Sequence, residues 1–192
     1  MDRSFHNPRE RNVMKSSKRA VFFDRDGTLI HDTNYPNDPA QVVPIPEAIP
    51  ALKTLQENGF LLVVISNQSG IGRGLITKEE AQAVHQRFLQ IFQENGITID
   101  AAYYCPHAPE EKCSCRKPSP KMLEDAAEDM GIDLSRSFII GDKLSDVQAG
   151  KQAGCLAIFY HNTHSEFEND MTPDLMSQDW NFITEFILAS KT

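Results

Sequence analysis

Five short apolar segments alternate with longer helical patterns along this chain. Each segment is almost uniformly apolar, as are strands of a parallel sheet that has helices on both faces, because neither face of such a strand meets water. The segments cover residues 20–23, 60–66, 101–104, 137–141 and 155–160. The sequence therefore predicts repeated strand–helix units and a three-layer α/β/α sandwich, Rossmann-like, with a parallel sheet.

Helical patterns lie between and after these strands. They cover residues 46–58, 77–95, 120–130, 145–153 and 178–190, and a glycine follows each of the first four, as is common at helix C-termini. The last pattern is amphipathic, and we expect Trp180, Phe182 and Phe186 to lie together on its core-facing side.

The acidic composition limits the partners of this chain. Among 192 residues, 27 Asp and Glu against 19 Lys and Arg give a formal net charge of −8. This argues against a protein that coats nucleic acid or an anionic membrane. The longest apolar run, residues 60–65, is far shorter than the ~18 residues of a membrane-spanning helix. We therefore expect a monomeric protein with no nucleic-acid or membrane partner.

The first 19 residues differ from the remainder. Residues 1–19 hold six basic and two acidic side chains and no apolar core of the kind a secretion signal needs. We expect them to form a disordered basic tail. Residues 20–192 are long enough for one domain with a full core and leave no room for a separate cap domain.

Three of the four cysteines cluster with a histidine. Cys105, His107, Cys113 and Cys115 offer three thiolates and an imidazole, which is a closed tetrahedral set for a structural zinc ion. The alternative is that these cysteines are merely buried or redox-active. Cys155 lies in an apolar stretch and is expected in the core. Clustered cysteines, rather than a disulfide framework, indicate a reducing compartment, so we expect a cytoplasmic protein.

Carboxylates follow two of the predicted strands. Asp24 and Asp26 come directly after the first strand, and Asp142 and Asp146 come after the fourth. Ligands of such sheets bind beyond the carboxyl ends of the strands. With ordinary pKa values near ~3.9, Asp24 and Asp26 are ionised at neutral pH and need a cation beside them. Mg²⁺ suits such oxygen ligands.

Neutral donors and cations follow the other strands. Residues 66–69 supply hydroxyl and amide groups, Arg73 adds a guanidinium, and Arg116 and Lys117 precede a helix. Each group alone is an ordinary polar turn or a solvated pair of charges. Together with the carboxylates they make up the groups needed for a Mg²⁺-assisted phosphoryl transfer.

Four segments, FFDRDGTL, SNQSGIGRG, CRKP and GDKLSD, resemble in order the four motifs of the haloacid dehalogenase superfamily of phosphatases. YYCPHAP and CSCRKPSP are similar to its zinc-containing branch, which includes phosphatases of heptose 1,7-bisphosphate and of histidinol phosphate. The similarity spans about residues 20–160. It implies a phosphatase that acts on a small phosphorylated metabolite, with a heptose bisphosphate as the leading substrate and histidinol phosphate as the alternative.

The resemblance also implies roles for individual residues. Asp24 would be the nucleophile that forms an aspartyl-phosphate, and Asp26 would be the general acid and base. Ser66 with Asn67 would hold the phosphoryl oxygens, and Lys117 would offset their charge. The expected Mg²⁺ ligands are the Asp24 carboxylate, the backbone carbonyl of Asp26 and the carboxylate of Asp142.

Further substrate contacts are expected around these groups. For Asp146, two roles are open, the orientation of Lys117 and the capping of its own helix. A receiver-type signalling domain would also use strand-end carboxylates, Mg²⁺ and a lysine, but it needs neither the acid Asp26 nor a zinc loop at residues 105–115. The implied substrate-binding residues are Asn67, Gln68, Ser69, Arg73, Arg116, Lys143, Asp32 and Tyr35.

Overall fold

A computed structural model describes residues 18–161 and 172–190 of the chain. Its strands are β1 (Ala20–Phe23), β2 (Leu61–Asn67), β3 (Ala101–Cys105), β4 (Phe138–Gly141), β5 (Leu156–Phe159) and β6 (Leu175–Met176). They form a sheet in the order β3-β2-β1-β4-β5-β6, in which every neighbouring pair is parallel. The five predicted strands are therefore confirmed, and the two-residue strand β6 extends the sheet by one.

Helices cover both faces of the sheet. They are α1 (Ala48–Glu57), α2 (Ser69–Gly72), α3 (Lys78–Glu94), α4 (Lys121–Met130), α5 (Leu144–Ala153) and α6 (Trp180–Ala189). One core cluster joins α1, α3 and α6 to side chains such as Phe23, and the other joins α4 and α5 to side chains such as Phe22. Because successive strand residues point to opposite faces, both must be apolar here. The three-layer sandwich is confirmed.

The order of the strands positions the site. The chain runs outward from β1 through β2 to β3 and then crosses to β4, on the other side of β1. The connections after β1 and β4 therefore leave in opposite directions. Such a reversal opens a crevice beyond the carboxyl ends of the two strands, where open α/β sheets bind ligands.

Helix α6 packs differently from the prediction. Its buried residues are Trp180, Ile183, Thr184 and Ile187, whereas Phe182 is 51% exposed. The prediction that Phe182 shares the core-facing side with Trp180 is wrong. Side chains two positions apart along an α-helix point in directions that differ by about 200°. Spacings of three and four residues return to one face.

The fold begins slightly before the predicted boundary. The backbone of Lys18 accepts a hydrogen bond from Asp133 (2.9 Å), and that of Arg19 accepts one from Leu61 (2.9 Å). Residues 1–17 of the predicted basic tail lie outside the described residues. Within the described ranges, no helix is long and apolar enough to cross a bilayer, and no second domain interrupts the sandwich.

Candidate active site

A cavity of about 340 Å³ opens at the carboxyl ends of β1, β2 and β4. Its wall brings together most of the predicted site residues and adds four that were not assigned to it. The predicted residues in the wall are Asp24, Asp26, Asp32, Tyr35, Ser66, Asn67, Gln68, Ser69, Arg116, Lys117 and Lys143, and the additions are Asn34, Pro36, Ser145 and Asp146.

Lys117 joins two carboxylates beneath the cavity. Its ammonium nitrogen lies 3.0 Å from Asp24 Oδ1 and 2.6 Å from Asp146 Oδ1, and it donates to the carbonyl oxygen of Ile65 at 2.7 Å. All three charged residues are at most 4% exposed. Burial alone would lower the pKa of Lys117, but Asp146 and Asp24 raise it above its usual value, so the cation is retained.

Asp24 is held ionised by the same arrangement. Burial would raise the pKa of this carboxyl, but Lys117 and Lys143 bring it below its ordinary value. A carboxylate in this state is a competent nucleophile at neutral pH. Asp146 performs both roles left open by the sequence, because its other oxygen accepts a hydrogen bond from the backbone of Lys143 (3.0 Å) at the start of α5.

Asp26 pairs with a different cation. Arg25 Nη2 and Nε lie 3.0 and 3.2 Å from Asp26 Oδ2, and the Gln68 side-chain amide donates to the same oxygen at 2.7 Å. Gln68 also donates to Ser66 Oγ (2.9 Å) and accepts from Arg25 (3.0 Å). The hydrogens of Gln68 Nε2 are therefore both used in this network, and Gln68 also lines the cavity, so its predicted contact with substrate stays a prediction.

Asn67 likewise contacts the protein. Its side chain donates to the carbonyl oxygen of Lys117 (3.1 Å) and accepts from the backbone N–H of Lys117 (3.0 Å). This reciprocal pair fixes the end of β2 to the segment that carries Lys117. Ser66 differs, since its oxygen accepts from Gln68 while the residue lines the cavity and its hydroxyl lies beside Asp24.

The carboxylates of Asp24, Asp142 and Asp146 form a cluster that could hold a metal ion. Their oxygens lie within 4.8 Å of one another. Asp142 Oδ1 is buried and has no hydrogen-bond partner among the described residues, and burial raises the pKa of Asp142 to about 7. A buried oxygen without a donor beside the ionised Asp24 fits a hard divalent cation such as Mg²⁺.

Gly27 keeps the Asp142 carboxylate close to Asp24. Its φ is +85°, and a Cβ added there would lie 2.4 Å from Asp142 Oδ2. Only glycine combines this left-handed backbone conformation with such a close approach. The turn after β1 and the carboxylate after β4 are therefore packed directly against each other.

The mouth of the cavity is formed by the loop at residues 32–36. Lys143 Nζ lies 3.5 Å from Asp32 Oδ2, and Arg73 Nη1 donates to the hydroxyl of Tyr35 at 3.2 Å. Arg73 does not line the cavity itself, and its predicted contact with substrate stays a prediction. Arg116 lines the cavity and donates to the carbonyl oxygen of His107 (3.4 Å).

The predicted zinc ligands meet beside this mouth. Cys105 Sγ lies 3.4 Å from Cys113 Sγ, Cys115 Sγ lies 3.6 Å from Cys113 Sγ, and His107 Nδ1 lies 3.6 and 3.4 Å from the Cys105 and Cys115 sulfurs. Two sulfurs bound tetrahedrally at ~2.3 Å from zinc are roughly 3.7 Å apart. The four ligand atoms thus have the spacing that a zinc ion requires, and the sulfurs are too far apart for disulfides.

Arg25 is the most important residue that the sequence reasoning did not assign. Its position between Asp24 and Asp26, directly after a buried strand, was the available signal, because a lone cation there must be paired when it is buried. Asn34 and Pro36 lie on either side of Tyr35, which was predicted to contact substrate, in the loop at residues 32–36. Ser145 carried no signal of its own apart from its place within GDKLSD.

Comparisons with known proteins identify the family of the chain. Residues 114–176 match the HAD-hydrolase-like family. Over 144 residues the chain is 42% identical to the D-glycero-beta-D-manno-heptose-1,7-bisphosphate 7-phosphatase of Mesorhizobium japonicum, with 70% of this chain and 65% of that protein covered. The protein of the same name from Haemophilus ducreyi is 41% identical over 144 residues, with 71% and 79% covered.

Two further similarities bear on the substrate and the metal. The histidine biosynthesis bifunctional protein HisB of Blochmanniella floridana is 36% identical over 152 residues, which are 76% of this chain and 42% of that protein. The solved structure of D,D-heptose 1,7-bisphosphate phosphatase from B. bronchiseptica, complexed with magnesium and phosphate, has a TM-score of 0.76 and 28% identity, with 88% and 98% covered. The chain belongs to the haloacid dehalogenase superfamily, in the family of the heptose 1,7-bisphosphate 7-phosphatases.

Proposed function

We propose that this protein is a Mg²⁺-dependent phosphatase that removes the 7-phosphate of D-glycero-D-manno-heptose 1,7-bisphosphate through an aspartyl-phosphate. The observation that carries the proposal is the different pairing of two strand-end carboxylates at one cavity. Asp24 is paired with Lys117, whereas Asp26 is paired with Arg25. Neighbouring carboxylates with different surroundings suit the separate roles of nucleophile and general acid.

Two displacements complete the reaction. A carboxylate oxygen of Asp24 attacks phosphorus, the bond between phosphorus and the sugar oxygen breaks, and Asp26 gives its proton to the leaving alcohol. In the second step a water molecule gives a proton to Asp26 and attacks the same phosphorus. The bond to Asp24 then breaks, which releases inorganic phosphate and restores both carboxyl groups.

Donors around Asp24 would stabilise the charge of the transferred group. The buried ammonium of Lys117 is already in place, and Ser66 lines the same cavity. Such preorganised donors need no reorientation during the reaction. Mg²⁺, held by Asp24, Asp142 and the backbone carbonyl of Asp26, would supply further positive charge beside the phosphoryl oxygens.

The four residues Cys105, His107, Cys113 and Cys115 would hold a structural zinc ion. With all four ligands from protein, this ion would leave no open position for catalysis. Its purpose follows from the neighbours of the loop, because Arg116 and Lys117 directly follow Cys115. A metal that orders residues 105–115 would place both cations at the cavity.

The relatives favour a heptose bisphosphate as the substrate. The relatives from Mesorhizobium japonicum and Haemophilus ducreyi carry that name, and a cavity of about 340 Å³ is of the size that holds a small ligand. Histidinol phosphate is the second candidate, because the similarity to HisB spans 76% of this chain. A receiver-type domain is disfavoured by the acid Asp26 in the cavity. The proposal includes a cytoplasmic location, which the free cysteines support. It also includes a monomeric state.

Phosphate release from a panel of esters tests the proposal. The panel holds heptose 1,7-bisphosphate, other sugar phosphates and histidinol phosphate, each with Mg²⁺ and with a chelator. We expect the highest kcat/KM for the heptose bisphosphate, and only with Mg²⁺. A kcat/KM dominated by histidinol phosphate would overturn the substrate, and no release from any ester would overturn the activity.

A further inference from the structure

Arg25 and Gln68 both donate hydrogen bonds to the carboxylate of Asp26, and we name this pair the Arg25–Gln68 clamp. We propose that the clamp is a positioning device that holds Asp26 for proton transfer to and from the reacting oxygens, with Arg25 acting from outside the active-site cavity. This inference rests on the proposed function, since it assigns how the general acid and base of that reaction is kept in place.

The clamp distinguishes the two oxygens of Asp26. Oδ2 receives hydrogen bonds from Arg25 Nη2 (3.0 Å), from Arg25 Nε (3.2 Å) and from Gln68 Nε2 (2.7 Å). Among residues 18–161 and 172–190, Oδ1 receives one, from Arg25 Nε at 3.2 Å. An oxygen that accepts three donors has little capacity left for a proton. The geometry therefore leaves Oδ1 as the oxygen that exchanges the proton.

The clamp is closed and nearly dry. Arg25 Nη2 also donates to Gln68 Oε1 at 3.0 Å, so that the three side chains form a ring of hydrogen bonds. Arg25 is 2% exposed and Gln68 is 8% exposed. Buried networks in which every member is satisfied hold their rotamers more firmly than exposed ones do. Gln68 extends the ring to Ser66 Oγ (2.9 Å), which connects the acid and base to the cavity hydroxyl.

Arg25 reaches Asp26 from the side away from the substrate. It does not line the active-site cavity, but it lines a second cavity of about 240 Å³, whose wall also includes Gln68, His85 and Tyr104. Its guanidinium lies 5.7 Å from the centre of the Tyr104 ring. A cation that is separated from the reaction by Asp26 and Gln68 acts through them, so Arg25 is a positioning residue.

The effect of losing the clamp on kcat/KM should depend on the leaving group of the ester. A sugar alkoxide needs a proton as the phosphorus–oxygen bond breaks, whereas p-nitrophenolate leaves without one. For Arg25→Ala we expect kcat/KM for heptose 1,7-bisphosphate to fall ~10²-fold or more, and kcat/KM for p-nitrophenyl phosphate to fall less than about tenfold. Loss of general structure would reduce both values by the same factor.

A double-variant cycle with Asp26→Asn completes the test. If Arg25 acts through Asp26, adding Arg25→Ala to Asp26→Asn causes no further loss of kcat/KM on either ester. Equal losses on the two esters in the single variant, or a further loss in the double variant, would overturn the proposal. Wild-type protein inactive on both esters would instead overturn the proposed function.

A second variant and a rescue experiment add two independent measurements to the test. Gln68→Met removes the hydrogen bonds of Gln68 with Asp26 (2.7 Å), Ser66 (2.9 Å) and Arg25 (3.0 Å). The same difference between the esters is expected there even if Arg25→Ala does not fold. Guanidinium ion added to Arg25→Ala can occupy the second cavity, and we expect partial recovery of heptose bisphosphate hydrolysis only where Asp26 is present. Equal recovery in the double variant would contradict the clamp. Arg87→Ala, at a partly exposed arginine of α3, is the matched control. Its kcat/KM on both esters should equal that of the unmodified protein and should not change when guanidinium is added.

Discussion

Asp24 and Asp26 follow the same strand two residues apart, yet a different buried cation pairs with each. Lys117 lies 3.0 Å from Asp24, and Arg25 lies 3.0 Å from Asp26. The two cations come from different parts of the chain, one after the cysteine loop and one between the two carboxylates. Chemically identical groups thus acquire separate electrostatic surroundings, which is what separate catalytic roles require.

Replacing Asp24 with asparagine should abolish turnover and preserve the fold. Asparagine has nearly the same shape but cannot form the aspartyl-phosphate, so we expect phosphate release to fall roughly 10³-fold or more, as when other nucleophiles are lost. Thermal unfolding should still be cooperative. Asp125→Asn, at an exposed residue of α4, is the control that should keep full activity. Substantial turnover by Asp24→Asn would remove Asp24 from the nucleophile role.

Replacing Lys117 with methionine should affect both stability and rate. The change leaves the carboxylates of Asp24 and Asp146 buried without their cation, which costs about 3–5 kcal/mol for buried pairs. The rate should fall on the order of 10²-fold, as when an oxyanion donor is removed. Urea unfolding and phosphate release measure the two effects.

Lys121→Met is the matched control for Lys117→Met. Lys121 is paired with Asp125 on the surface of α4, so its loss should change the free energy of unfolding by less than ~1 kcal/mol. Similar destabilisation by the two variants would contradict the importance assigned to the buried ion pairs.

A methyl group at Gly27 should weaken the binding of Mg²⁺. In Gly27→Ala the new Cβ meets Asp142 Oδ2, so the carboxylate must move away from Asp24. Gly59 has a similar φ of +80° but has no atom within 4 Å of an added Cβ. Both variants should lose about 1–2 kcal/mol from left-handed backbone strain. Only Gly27→Ala should need a higher Mg²⁺ concentration for half-maximal activity, and an equal requirement in both variants would contradict this account.

Zinc should be present in protein purified without chelator, and its removal should expose three thiols. After chelation we expect alkylation at the half-buried Cys113 and Cys115, and more slowly at the buried Cys105, detected by mass spectrometry together with a lower thermal midpoint. Cys155 should stay unmodified at pH 8, because burial raises the pKa of its thiol to about 12 and leaves a thiolate fraction of ~10⁻⁴. Raising the pH should therefore increase its alkylation.

Cys155→Ala is the control for the zinc experiment, and Cys113→Ser is the matched change within the predicted ligand set. The first variant should keep its zinc and the second should lose it. Elemental analysis that finds no zinc in the unmodified protein would contradict the site. A Cys155→Ala variant that loses zinc would place that thiol among the ligands.

Sequence reasoning was most successful for the sheet. Uniformly apolar runs such as residues 20–23 can exist only where both faces are covered, so the strands and their parallel arrangement were predictable. It was less successful for α6, where the aromatic residues drew attention to Phe182. The helical period instead buries Ile183 and Ile187 with Trp180 and leaves Phe182 exposed.

Gln68 shows where sequence reasoning about the site is limited. A polar residue at a strand end is equally compatible with a contact to substrate and with a contact to another side chain. The structure adds the contacts of Gln68 with Arg25, Asp26 and Ser66, which its residue type and position could not reveal. Asp146 is similar, because its two carboxylate oxygens serve the two alternatives at once.

The sequence by itself determined the class of fold, the family and the groups available for chemistry. Those properties depend on residue type and order, which are local. Tertiary structure alone decided which cation pairs with which carboxylate, because Lys117 and Asp24 are distant along the chain and meet only when β1, β2 and β4 lie side by side. Burial makes this pairing important for the free energy of the fold, because a charge removed from water is costly unless a partner within the protein compensates it.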